Sequence, residues 1–257
     1  MDHPLLIALV SFVALFACTN IAAKAHRKGR LLNEDERADL DLITNSTLTL
    51  LALLIGFTFS MAMNRYDLRK QYEEAEANAI GTEYNRIGLL PRSDEINVRA
   101  LLKRYLEQRL LFYTTRDTRQ LEEIEACTDR IQVDLWSAIE TSAAAERTMT
   151  IPLVAGGMNE VLDSQGRTQA AWWNRIPVAA WSLMGAVAVW ASLLVGYTAR
   201  HPERKLWLAI LPLILATAFF LIADLDSPRG GIILVHPHNL ESLSRFIDRQ
   251  YAIAPVK

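Results

Sequence analysis

The sequence predicts an all-α integral membrane protein with four transmembrane helices in two pairs and a helical aqueous domain between spans two and three. Three observations carry this. Apolar residues make up 51% of the 257, and they gather into four long runs at about 4–23, 42–63, 176–198 and 206–223. Each run is nearly free of charge and reaches the roughly 20 residues that a helix needs to cross a bilayer core. The runs are joined by short linkers at 24–41 and 200–205, whereas the long segment between the pairs, 64–175, is hydrophilic. No strand pattern appears in that central segment, and backbone groups in lipid are satisfied within helices.

The first run follows Met-Asp-His-Pro, which is acidic where the leader of a secretory signal is basic, so it reads as a span. The second run leaves the apolar phase without a proline or a glycine pair. Span two is therefore expected to continue as the first helix of the aqueous domain, closing near Gly88 and Pro91, because proline lacks the N–H a helix needs. Ser93 is the expected N-cap of the next helix, with Ile96, Leu101, Leu102, Tyr105, Leu106 and Phe112 on one face. A third helix over about 117–146 carries Leu121, Ile124, Ile131, Leu135 and Ile139. A fourth starts near Pro152 with Leu153, Met158, Val161 and Leu162 and runs through Trp172 and Trp173 toward span three. The chain thus divides into 1–63, 64–175, 176–224 and a tail at 225–257. In the tail, Ile232–Val235 reads as a strand or an extended segment, and Asn239 caps an amphipathic helix bearing Leu240, Leu243, Phe246 and Ile247.

The formal net charge of −2, with acids and bases interleaved, argues against nucleic acid as a partner. Cys18 and Cys127 form no disulfide or thiolate motif. No enzyme signature is present: phosphate loop, nucleophile elbow and zinc-protease helix are all missing. Glu73, Glu74 and Glu76 read as solvated helix-surface carboxylates rather than acid–base groups. No cofactor or metal is expected. His236 and His238 lack a third ligand, and Asp224 with Asp226 falls short of a calcium loop.

Trp172, Trp173, Trp181, Trp190 and Trp207 read as interfacial anchors. Small residues recur every four positions at Ala14-Cys18-Ala22, Ala52-Gly56-Ser60 and Ala188-Ser192-Gly196, a spacing that lets helices approach closely either within the bundle or between subunits. In span two, Thr44, Asn45, Ser46, Thr47, Thr49, Thr58 and Ser60 either bond back to their own helix or face a wet pathway.

Spans two and four end at the same membrane face, which brings together Asn64, Arg65, Tyr66, Asp67 and Arg69 with Asp224, Asp226 and Arg229. Pairing of Arg65 or Arg69 with Asp224 or Asp226 is expected there, because opposite charges at a low-dielectric boundary are tolerated when paired. The pair is either a latch that ends both spans or the rim of an ion vestibule. Lys24, Arg27, Lys28, Arg30 and Arg37 in the first short linker, with Arg200, Arg204 and Lys205 in the second, place the short loops in the cytoplasm of an inner-membrane protein and the helical domain and termini outside.

"RYDLRK" and "EEAEANAIGTEY" within 65–84, "LLP" at 89–91 and "DLDSPRGGII" at 224–233 resemble the bestrophin-like domain family of bacterial membrane proteins. Nearly the whole chain takes part in the resemblance. More distantly, the layout is similar to the bestrophin anion channels. That similarity implies a homo-oligomer around a pore lined by span two, with Leu51, Leu54, Ile55, Phe57 and Thr58 as constriction candidates and a small ion as the conducted species. It also implies a cytoplasmic helical domain, opposite to the short-loop charge count. The Glu/Ala run at 73–79 departs from the aromatic-rich bestrophin segment. The other reading is a non-conducting sensor or scaffold, anchored in the lipid bilayer, whose helical domain binds a protein partner.

Overall fold

The computed structural model describes residues 3–28, 33–145, 149–199 and 205–253. Eight α-helices follow one another among these residues: α1 (Pro4–Lys28), α2 (Glu34–Arg86), α3 (Arg92–Thr114), α4 (Thr118–Ala145), α5 (Ile151–Trp173), α6 (Val178–Thr198), α7 (Lys205–Asp226) and α8 (His238–Ile253). A 3₁₀ turn, Ile87–Leu89, closes α2 ahead of Pro91. No strand occurs among the described residues, and Ile232–Val235 is irregular. Arg30 and Arg200–Arg204 of the short linkers lie outside the described residues.

The 53-residue α2 takes in both the apolar second run and the charged segment after it. The sequence explains this: from Leu42 to Arg86 no proline interrupts the hydrogen-bond ladder, and the charged half is rich in Ala, Glu, Lys and Arg, which favour helix. The chain falls into two compact units, Met1–Tyr66 with Arg175–Leu234 and Asp67–Asn174 with Val235–Lys257.

In the first unit α1 packs on both α6 and α7. Its core joins Leu15, Leu51, Ala62, Met184, Ala188, Leu215 and Phe219. The stripe Ala188-Ser192-Gly196 is wholly buried, and a Cβ on Gly196 would stand 2.2 Å from the carbonyl oxygen of Thr19. Glycine is what lets α6 meet the α1 backbone. Among the described residues, four helices are long and apolar enough to cross a membrane. Large apolar side chains such as Leu5, Leu206 and Trp190 point outward from them, as a lipid solvent permits.

The second unit packs α3 against α4 and α8, and α4 against α5. Asp117 caps α4 through its carboxylate, which accepts from the N–H groups of Arg119 and Gln120 at 2.8 and 3.0 Å. Several sequence expectations are corrected here. Ser93 does not cap α3: the helix begins at Arg92, and the Ser93 hydroxyl donates to Asp94 instead. Ile96, Leu153 and Phe246 are exposed rather than turned to the core: Leu153 and Phe246 lie at the edges of their apolar stripes, and Ile96 lies nearly opposite the buried face of α3 formed by Val98, Leu102, Tyr105 and Leu106. Trp172 is no interfacial anchor; it is buried with its ring 5.1 Å from Phe112 and 5.4 Å from Tyr113.

Candidate functional site

Span two presents two faces. Leu51, Thr58 and Ala62 are buried, with Leu51 and Ala62 in the core of the first unit. Leu54 and Ile55 are half-buried, and Ile55 packs against that core. Leu51 and Thr58 are thus turned inward within the chain, a distinction that hydropathy alone does not make when both faces are apolar. Phe57 is 63% exposed. On the same outer side lie Thr49, Leu53, Gly56 and Ser60, all exposed, and nothing stands within 4 Å of a Cβ built on Gly56. The stripe Ala52-Gly56-Ser60 therefore faces away from its own bundle. The hydroxyls of Thr44, Thr47, Thr49 and Thr58 donate to carbonyls one turn back at 2.7–2.9 Å.

The buried end of α7 turns into a tight loop whose Ile232 and Ile233 are exposed. Asp224 accepts from the N–H groups of Ile232 and Ile233 at 2.7 and 2.8 Å. Asp226 accepts from the N–H of Ile176 at 3.0 Å, which fixes the chain just before α6, and Ser227 accepts from the N–H of Gly230 at 3.1 Å. A Cβ on Gly231 would press to 2.8 Å from the Asp224 carbonyl oxygen, so the loop closes only around glycine. Both carboxylates are thereby held by backbone donors, as buried charges require. Arg229 is half-buried beside them in sequence, Tyr66 packs on the first unit's core, and Asn64 and Asp67 are exposed. An Arg65 guanidinium nitrogen lies 4.0 Å from the Met61 sulfur.

The second unit holds a row of buried polar groups on α2. Glu73 and Glu76 are at most 1% exposed and Glu83 is fully buried, which corrects the expectation that Glu73 and Glu76 are solvated; Glu74 is exposed. Arg69, on the same row, donates from Nε to the carbonyl of Ala171 at 3.3 Å. Glu73 accepts from the backbone N–H groups of Asn239 and Leu240 at 2.9 and 3.0 Å and from the Asn239 side chain at 2.6 Å. α8 is thus capped by a carboxylate from another helix, and Asn239 is the donor rather than the cap. A pair between Lys103 and Asp248, at 2.7 Å, holds α8 to α3 as well.

Glu76 is the centre of the row. It pairs with Arg109, and its Oε2 accepts from the Tyr113 hydroxyl and the Thr168 hydroxyl, both at 3.1 Å. The Arg109 guanidinium also lies 4.4 Å over the Phe112 ring. Burial alone would make Arg109 easier to deprotonate, but the charge of Glu76 reverses this and holds it protonated. Burial and then the charge of Glu76 push the Tyr113 hydroxyl up, so it stays a neutral donor. Such a group, in which Glu76 is paired in a dry interior while Arg109 Nη1 is left without a hydrogen bond among the described residues, fixes α3 and α5 to α2 in one register. Sequence reasoning missed it, although Arg69, Glu73, Glu76 and Glu83 share a helical face with Ala77, Ile80 and Tyr84, all buried.

A groove of about 460 Å³ runs between α2 and α8, lined by Asn78, Thr82, Asn85, Asn239 and Ser242 over Gly81 and Leu243. His236 and His238 have rings 5.7 Å apart, and no cluster of three or more metal-ligating side chains occurs among the described residues.

The model of the Bestrophin-like domain matches residues 11–240. The chain is similar in fold to the crystal structure of a bacterial bestrophin homolog from Klebsiella pneumoniae, with a TM-score of 0.69 at 15% identity over 96% of this chain and 99% of that one. Two substituted forms of that homolog give TM-scores of 0.66 and 0.68 at 16% and 15% identity, covering 94% and 95% of this chain and 94% and 98% of theirs. No curated protein matches. With four helices able to span a bilayer and a family match over nearly its whole length, the chain is an all-helical, multi-pass membrane protein that belongs to the Bestrophin-like domain family.

Proposed function

We propose that the protein is an ion channel, an oligomer in which span two of each copy lines an anion pathway. The supporting observation is the outer face of α2. Thr49, Leu53, Gly56, Phe57 and Ser60 are exposed along the span, so a face mixing hydroxyls, small residues and two large apolar side chains is left uncovered by the described residues of its own chain. Small residues on such a face suit close packing of neighbouring copies, and Leu53 with Phe57 suits an apolar constriction that gates by dewetting. The constriction therefore moves one face around the helix from the expected set: Phe57 stays, Leu53 joins it, and Leu51 and Thr58 leave for the core. Leu54 and Ile55 flank it.

Asn64, Arg65, Asp67 and Arg69, with Asp224, Asp226 and Arg229, form the charged ends of the spans in this reading. In this reading Arg65 pairs with Asp224 or Asp226 within the first unit and fixes those ends. The oligomer sits in the bacterial inner membrane. Short-loop charge puts the helical domain outside and the bestrophin resemblance puts it in the cytoplasm, and a reporter fused after Lys257 decides between them.

The test of assembly is the mass of the protein released from lipid discs. A closed ring of copies agrees with the proposal, and a strict monomer refutes it. A second reading, a non-conducting scaffold, draws on the uncharged polar groove between α2 and α8 as a place for a partner.

A further inference from the structure

Glu83 stands apart from the other buried carboxylates of α2. Glu73 accepts three hydrogen bonds and Glu76 is paired with Arg109, whereas neither oxygen of Glu83 has a hydrogen-bond partner among the described residues and none of its surface is exposed. The neighbour that makes room for it is Gly157 of α5. A Cβ at that position would stand 1.8 Å from Glu83 Oε2, 2.9 Å from its carboxyl carbon and 2.6 Å from an Arg86 guanidinium nitrogen. The carboxyl therefore lies directly against the α5 backbone.

The surroundings offer an ionised carboxylate little. The same face of α5 carries Val154, Met158 and Val161, all buried and apolar, while the charged residues of that stretch, Glu160, Asp163 and Arg167, are exposed and Arg167 pairs with Glu160. From α3, Arg99 is held by Glu95 at 2.6 Å and lies over the Tyr84 ring. Arg86, three residues along α2, is the charged group whose field acts on Glu83. Burial outweighs its pull and raises the carboxyl to about 8. A carboxyl placed like this keeps its proton rather than pay for an unpaired charge.

We propose that Glu83 is a proton-binding site that lets α2 pack on α5 at Gly157 when protonated and loosens that contact when the proton leaves. It concerns the packing of the second unit and does not depend on conduction.

The test uses the full chain in detergent. Hydrogen exchange of peptides covering α5, corrected for intrinsic rates, is followed from about pH 6 to about pH 9.5 beside Glu83→Gln. Protection around Gly157 is expected to fall several-fold in the native chain as pH rises through the titration, and to stay level in Glu83→Gln. Infrared difference spectra give a second readout: at neutral pH the native chain is expected to show a protonated carboxyl band that Glu83→Gln lacks. Equal pH responses in the two proteins, or an ionised Glu83 at neutral pH, would overturn the proposal, and the infrared comparison with Glu83→Asp decides the matter if Glu83→Gln does not fold.

Discussion

Arg109 of α3 and Glu76 of α2 pair with no solvent exposure on either side chain. The consequence is an asymmetry between removing one partner and removing both. Arg109→Met leaves the Glu76 carboxylate buried with only hydroxyl donors and is expected to destabilise the protein by about 3–5 kcal/mol. Arg109→Met combined with Glu76→Gln should recover a substantial part of that loss. Thermal melting of the four proteins in one detergent measures it, and additive losses would show that the pair is not coupled.

Glu73 joins α8 to α2 by capping it from outside its own sequence. Glu73→Ala removes three acceptor contacts at once and is expected to cost about 1–3 kcal/mol, concentrated in α8. Limited proteolysis should cut near Asn239 faster in the variant while α3 and α4 keep their protection. Cleavage that is unchanged would mean that Lys103 with Asp248 and the buried Leu240 and Ile247 hold α8 without the cap.

Gly196 lies against backbone rather than a movable side chain, so the approach of α6 to α1 has no slack. Gly196→Ala forces the helices apart and is expected to cost about 1–3 kcal/mol by overpacking, whereas Gly56→Ala meets open space and should leave the folding of the single chain unaffected. Melting temperatures of the two variants, compared at equal detergent concentration, check the contrast.

Stability should also depend on pH through Glu83. Its folded-state carboxyl is raised from the ordinary 4.5 to about 8, so between those values the folded protein binds more protons than the unfolded one. Stability therefore falls as pH rises across that window, by at most about 1.4 kcal/mol per pH unit from this group, and levels off above it. The difference in melting temperature between the native chain and Glu83→Gln, measured at several pH values, isolates the effect.

The spans, the helix closure before Pro91 and the long second helix could be read in the sequence because each rests on local facts: run length, missing breakers, and a proline without an N–H. The buried row on α2 could not. The partners of Glu76 and Glu73 come from residues 33, 92 and 166 positions away, so their burial is decided by packing and leaves only a faint local mark, the sharing of one helical face with Ala77, Ile80 and Tyr84. The two faces of span two were hidden for another reason. Leu51 and Phe57 are both apolar, and only the bundle distinguishes the one that enters the core from the one left outside.

The most direct measurement is anion flux into liposomes holding the purified protein, beside Leu53→Ala, Phe57→Ala, Leu51→Ala and empty liposomes. Flux through the native protein that rises several-fold in Leu53→Ala and Phe57→Ala, with Leu51→Ala instead losing about 2–5 kcal/mol of stability, is the predicted result. Folded protein that passes no more anion than empty liposomes across varied pH, voltage and calcium would contradict a pathway along span two.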